Sequence, residues 1–299
     1  MKRKLKEETK YKSDKLREYI KTSQLRVVNK DLRIRLSTEL AKLYDSGIYD
    51  KSIETLKEDI KQVKMLGFQY PGRANPFFYV YLVPDDNFVE LLSYPYKTDK
   101  GGGRPVNSYD LDGYNKAYGL SQNIWENSSV NRSISSVVNN IHELAHLIHS
   151  QFFYNRDSFL CEGFAEALPL YVMDYESKFD EHRNILKKLK MDEIFSVEDL
   201  LNKERNNGYY GQETIIPNKS CSFRLSYISS YLFVRVCMDK IGLKFKLSKT
   251  ESAQKFLEII GNSKYINEWS VFELAEILDI PRNELVFGKD LQMEVVKSL

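Results

Sequence analysis

The sequence predicts an α+β chain, mostly helical, with a small sheet on its N-terminal side. Three observations lead there. Apolar residues recur at three- and four-residue spacing through residues 1–68 and again in the C-terminal half, the pattern of helices that bury one face. One run, Phe77-Phe78-Tyr79-Val80-Tyr81-Leu82-Val83, is instead β-branched and aromatic and stops at Pro84-Asp85-Asp86-Asn87, as a buried strand does. Finally, 299 residues are ample for a substantial core, in one large domain or two modest ones.

Taken in order, residues 1–69 are expected to form an N-terminal helical segment. Lys2–Thr22, Asp31–Tyr44 and Lys51–Met65 each have helical spacing, as in Ile53, Leu56, Ile60 and Val63, and Asp45-Ser46-Gly47 separates the last two. The basic start, Met1–Lys15, also contains Glu7, Glu8 and Asp14, so it reads as a solvated helix face and not as a nucleic-acid arm. A loop at Gln69–Pro76 opens a second domain over 70–299, with the sheet and a long helix in 76–152 and a helical half in 153–299. Lys97–Asn115, with Gly101-Gly102-Gly103, lacks a P-loop lysine pattern and reads as a flexible loop. Ala117–Trp125 reads as a strand before the next helix. Helices are expected at Phe195–Asn202 behind a Ser196 cap, then at Ser226–Ile241, Thr250–Ile260, Ser270–Leu278 and Arg282–Lys297. Asn206–Ser222 is a long polar loop between the first two of these.

Composition narrows the function classes. Forty-four basic residues balance forty-two acidic ones, so no net field draws the chain to nucleic acid or to an anionic membrane. The longest apolar run is too short to span a bilayer. Three widely spaced cysteines, Cys161, Cys221 and Cys237, suit reduced thiols. Met1–Lys21 has no apolar core of a secretion signal. Together these lead us to expect a cytoplasmic location, with neither nucleic acid nor a membrane as partner; the motifs below add a peptide or protein substrate.

The chemistry is concentrated in Ser133–His149. Three of the chain's four histidines, His142, His146 and His149, fall within eight residues here. On a helix, His142 and His146 are one turn apart on one side, while Val137, Ile141, Leu144 and Ile148 form a stripe facing roughly the opposite way. His142-Glu143-Leu144-Ala145-His146 is the H-E-x-x-H string, in which two imidazoles bind zinc and the glutamate serves as general base. A catalytic zinc needs a third protein ligand and an open position. Sixteen residues after His146 begins Glu162-Gly163-Phe164-Ala165-Glu166-Ala167, where Asp157-Ser158 can cap a helix that turns Glu162 and Glu166 to one side. One of the two would bind metal and the other would accept a hydrogen bond from a ligand histidine. The plainer reading, two glutamates on a solvated face beside a structural pair of histidines, loses ground because the two strings occur together.

H-E-L-A-H followed by E-G-F-A-E resembles the gluzincin metallopeptidases, the clan of thermolysin, the zinc aminopeptidases and the bacterial collagenases. The resemblance implies a zincin-like fold and Zn2+ held by His142, His146 and Glu162. It also implies Glu143 as base and Glu166 as the residue that orients a ligand histidine. Ser226–Arg235 is similar to the helix that carries a transition-state tyrosine in the aminopeptidases. That implies Tyr227 as oxyanion donor, with Tyr231 one turn on as the alternative and Arg235 on the same helix. The motif-level match covers roughly 142–170 and 226–242. In that clan a strand placed like Ala117–Trp125 forms the sheet edge along which substrate lies. The aminopeptidases' G-A-M-E-N string is missing, and Trp125-Glu126-Asn127 echoes it only in part and too close to His142. The expectation is therefore an endopeptidase acting on extended segments, with a zinc aminopeptidase as one alternative and a non-hydrolysing peptide-binding module as another. A closed structural zinc with His149 as fourth ligand is a further reading, which the axial distance between His149 and His142 disfavours.

Overall fold

A computed structural model describes residues 15, 17–29, 32–68, 78–83, 103–106, 117–121, 134–153, 158–207, 225–263 and 270–298. The chain is predominantly helical with one small mixed sheet, as the sequence predicts, and it divides into two compact units. The first comprises residues 1–67 and 72–147, and the second comprises 68–71 and 148–299. Within the first unit, the strands of residues 24–36 and Phe78–Val83 share one sheet.

In the first unit, strands β1 (Gln24–Val27) and β2 (Leu32–Leu36) pair antiparallel, and Asn29 Oδ1 accepts the Leu32 N–H at 2.7 Å. The helix expected over Asp31–Tyr44 is thus a strand followed by a helix. Leu32, Ile34 and Leu36 are buried and alternate with Arg33 and Arg35, a period of two that only a strand can satisfy. Ser37 then caps α1 (Thr38–Asp45) by accepting the Leu40 N–H, and Gly47, at φ +81°, supplies the left-handed residue of the turn into α2 (Asp50–Met65). Helix α2 buries Ile53, Leu56, Ile60 and Val63 along the expected stripe.

The sheet continues through β3 (Phe78–Val83), β4 (Gly103–Val106) and β5 (Ala117–Ser121) in the order β1-β2-β3-β5-β4. Strands β2, β3 and β5 are mutually parallel, and β1 and β4 flank them antiparallel. Two expectations change here. The glycine-rich segment read as a loop contains β4, and β5, read as the sheet edge, is interior because β4 pairs with it. Pro105 suits the terminal strand, which is bonded to a neighbour on one side only. Trp125-Glu126-Asn127 lies outside the described residues. Helix α3 (Ile134–His149) carries the histidines and buries Val137, Ile141 and Leu144; the division between the units falls inside it, after Leu147.

The second unit is helical: α4 (Ser158–Ala167), a π-turn at Leu168–Val172, a 3₁₀ turn at Tyr175–Lys178, α5 (Asp180–Leu186), α6 (Val197–Asn207), α7 (Leu225–Phe245), α8 (Lys249–Gly261), α9 (Ser270–Leu278), α10 (Arg282–Phe287) and α11 (Asp290–Ser298). Pro169 explains the π-turn, since it has no N–H to give the helical bond back to residue 165. Ser196 caps α6 as expected, accepting the Asp199 N–H while Asp199 accepts the Ser196 N–H. The helix expected over Arg282–Lys297 is two helices, broken at Gly288. Helix α7 is buried almost all round, and α4, α6, α8, α9 and α11 pack against it. The polar loop expected at Asn206–Ser222 lies largely outside the described residues. Among the described residues, no helix is long and apolar enough to cross a membrane.

Candidate metal centre

Helix α3 presents His142 half-buried and His146 buried, one turn apart. Their rings meet edge to face at 83°, and the two Nε2 atoms are 3.2 Å apart. A tetrahedral zinc with Zn–N bonds of 2.0–2.1 Å holds its nitrogen ligands about 3.3 Å apart, so the pair is already at chelating distance. Glu143 follows His142 directly, with its Oε2 shut off from solvent.

Helix α4 supplies the carboxylates. Phe159 and Phe164 are fully buried and fix its apolar side: Phe159 packs edge-on against Phe233, and Phe164 stacks parallel to Phe256 at 6.5 Å. Glu162 and Glu166, at i and i+4, share another side; Glu162 is 9% exposed and Glu166 half-buried. Between them, Gly163 lies so close to α7 that an added Cβ would fall 2.5 Å from the Ser230 carbonyl oxygen and 2.6 Å from Val234 Cγ2. Only glycine permits that approach.

One ligand atom from each of His142, His146 and Glu162 lies within 4.8 Å of the other two. Two imidazoles and one carboxylate form a donor set suited to zinc with an open position. His149 is not in this group. Its ring stacks on Phe153 at 5.1 Å and meets Phe164 edge-on at 6.3 Å, as a core histidine does.

Along α7, Tyr227, Tyr231, Arg235 and Asp239 follow one another at four-residue spacing on one side. Tyr227 is partly exposed, whereas Tyr231 is fully buried and its hydroxyl donates to Glu176 Oε1 at 2.7 Å. The Arg235 guanidinium bonds the other Glu176 oxygen and also donates to the Tyr231 hydroxyl at 2.9 Å. Burial pushes the Tyr231 phenol well above its usual range; Glu176 pushes the same way and Arg235 opposes. His182 lies 3.7 Å from Glu176 with its ring against Tyr231 and Phe179. Burial lowers its pKa, against the upward pull of Glu166 and Glu176 and together with Arg235. The Tyr171 hydroxyl is bonded to Asp239, and the Arg235 guanidinium lies over the Tyr171 ring.

Sequence reasoning missed Glu176 and His182, since no local pattern joins them to a helix some fifty residues away. Cys161, next to Glu162, is half-buried, and burial raises the Cys237 thiol well above its normal range. Compared with protein-family models and with curated proteins, the chain finds no match.

Proposed function

We propose that the chain is a zinc-dependent metallopeptidase of zincin-like fold that hydrolyses peptide bonds within extended segments. One observation supports this above the others. His142, His146 and Glu162, the three donors of the H-E-x-x-H reading, come together with the two imidazole nitrogens at a chelating separation. Zn2+ bound there would act as a Lewis acid on water and on a substrate carbonyl.

The chain's own residues divide the remaining work. Glu143 accepts a proton from the attacking water and passes it to the leaving amine. Tyr227, on the exposed end of the α7 stripe, donates to the oxygen on which charge develops. Tyr231 is the weaker choice for that role, because its hydroxyl is committed to Glu176. Glu166 orients a ligand histidine through its second ring nitrogen. An extended peptide can add to a free sheet edge through main-chain hydrogen bonds, and among the described residues β4 is the terminal strand beside β5.

Zinc stoichiometry after exhaustive dialysis tests the reading. The wild-type chain should hold one ion and Glu162→Ala should hold essentially none. Retention at the wild-type level in Glu162→Ala would remove the carboxylate from the ligand set and the proposal with it.

A further inference from the structure

We propose that Asp59 and Asn140 form a buried clamp that sets the rotation and axial register of the histidine helix, which makes Asp59 a positioning residue for the metal centre. This rests on the zinc reading above. Asp59, on α2, is fully shut off from solvent, and Asn140, on α3, is 8% exposed. The Asn140 amide donates to Asp59 Oδ2 at 3.0 Å across 81 positions of sequence, and both helices belong to the first unit.

Each partner occupies a place where an apolar residue would be expected. Asp59 lies three residues after Leu56 and four before Val63, inside the buried stripe of α2. Asn140 lies three residues after Val137 and four before Leu144, inside the buried stripe of α3. A helix buried by an apolar stripe alone can slide or roll at small cost, because dispersion and hydrophobic burial have no direction. A buried amide–carboxylate pair is satisfied in one arrangement only, so a slip strands a polar group away from water. Single buried polar residues in helical interfaces are known to select register in this way.

The geometry makes register matter here. His142 and His146 follow Asn140 by two and six residues on the same helix. With side-chain tips about 6 Å from the helix axis, a roll of about 20° moves an imidazole nitrogen by about 2 Å. Metal–ligand distances tolerate about 0.2 Å. A helix held by apolar packing alone therefore presents the histidines too loosely for tight binding. The clamp also gives the N-terminal region, expected from sequence to be a separate helical segment, a direct part in the site.

Exchanging the partners provides the test. Asn140→Asp sets two acidic groups against each other, Asp59→Asn keeps a carbonyl acceptor for the Asn140 amide, and Asp59→Asn/Asn140→Asp restores donor and acceptor with their places reversed. Zinc affinity is measured by competition with a chromophoric chelator, and amide hydrogen exchange over 134–149 is measured in the metal-free protein. Asn140→Asp should weaken zinc binding at least about tenfold and speed exchange in α3. Asp59→Asn and the double variant should stay within about threefold of wild type. Wild-type affinity and exchange in Asn140→Asp would overturn the clamp, as would a double variant that unfolds at the wild-type midpoint yet fails to recover. A wild-type chain that binds no zinc refutes the proposed function instead, and hydrogen exchange then decides the clamp alone.

Discussion

The two helices that bring the candidate ligands are held in different ways. Helix α3 is tied to α2 by a directional bond, from the Asn140 amide to Asp59. Helix α4 meets α7 through shape, with Gly163 against the Ser230 carbonyl and with Phe159 and Phe164 in the core. Further along α7, a set of charges, Glu176 with Arg235, Tyr231 and His182, ties that helix to the turn after α4. The histidine side should therefore respond to lost hydrogen-bond complementarity. The glutamate side should respond to added volume, and the network behind it to lost charge.

The largest stability effect is expected at the buried ion pair of the second unit. Glu176→Ala leaves Arg235, whose side chain is 13% exposed, without its main counter-ion. Breaking a buried pair from one side costs about 3–5 kcal/mol. Chemical denaturation should show a loss of that order, and replacing Arg235 by Met in the same chain should recover much of it. A loss below about 1 kcal/mol would place this pair with ordinary surface bridges.

Gly163→Ala comes next, at about 1–3 kcal/mol, the usual effect of an overpacked contact. The added methyl meets backbone on one side and must push α4 away from α7, so zinc affinity should fall along with stability. An unchanged affinity would show that the depth of α4 does not set the position of Glu162.

The smallest effect concerns pH. The folded chain keeps His182 neutral to a lower pH than the unfolded chain does, because burial lowers its pKa from the ordinary value of 6.5. Just below that value the unfolded state binds more protons, so stability falls as pH drops from 6.5 toward the depressed folded pKa. His182→Phe keeps the ring packing against Phe179 and Tyr231 and should flatten that part of the stability–pH curve. An unchanged slope would assign the acid sensitivity to another group.

How much of this could be read from the sequence depended on how local the signal was. His142 and His146 are one turn apart, so the candidate histidine pair is visible as spacing, whereas spacing leaves Glu162 and Glu166 as alternatives and only the resemblance singles out Glu162. The stripe of α2 and the aromatic run of β3 were equally plain. Strand β2 was misread because Leu32, Ile34 and Leu36 alternate with arginines over only five residues, too few to outweigh the helical spacing on either side. Strand β4 was hidden by glycine and proline, which an edge tolerates and an interior strand does not. Asp59 did leave a mark, as a carboxylate inside an apolar stripe, but its partner lies 81 residues away. Glu176 left none, because its meaning comes entirely from Tyr231 and Arg235, 55 and 59 residues later.

The central claim is tested most directly by the cleavage of an N-acetylated, unstructured peptide, comparing wild type with Glu143→Gln at equal zinc content. Glu143 is the proposed base and not a ligand, so the variant should keep its zinc. The wild-type chain should cut an internal bond and the variant should be slower by roughly 10²–10⁴-fold. A zinc-loaded wild type that leaves the peptide intact, or a variant that cuts it at the wild-type rate, would contradict the account.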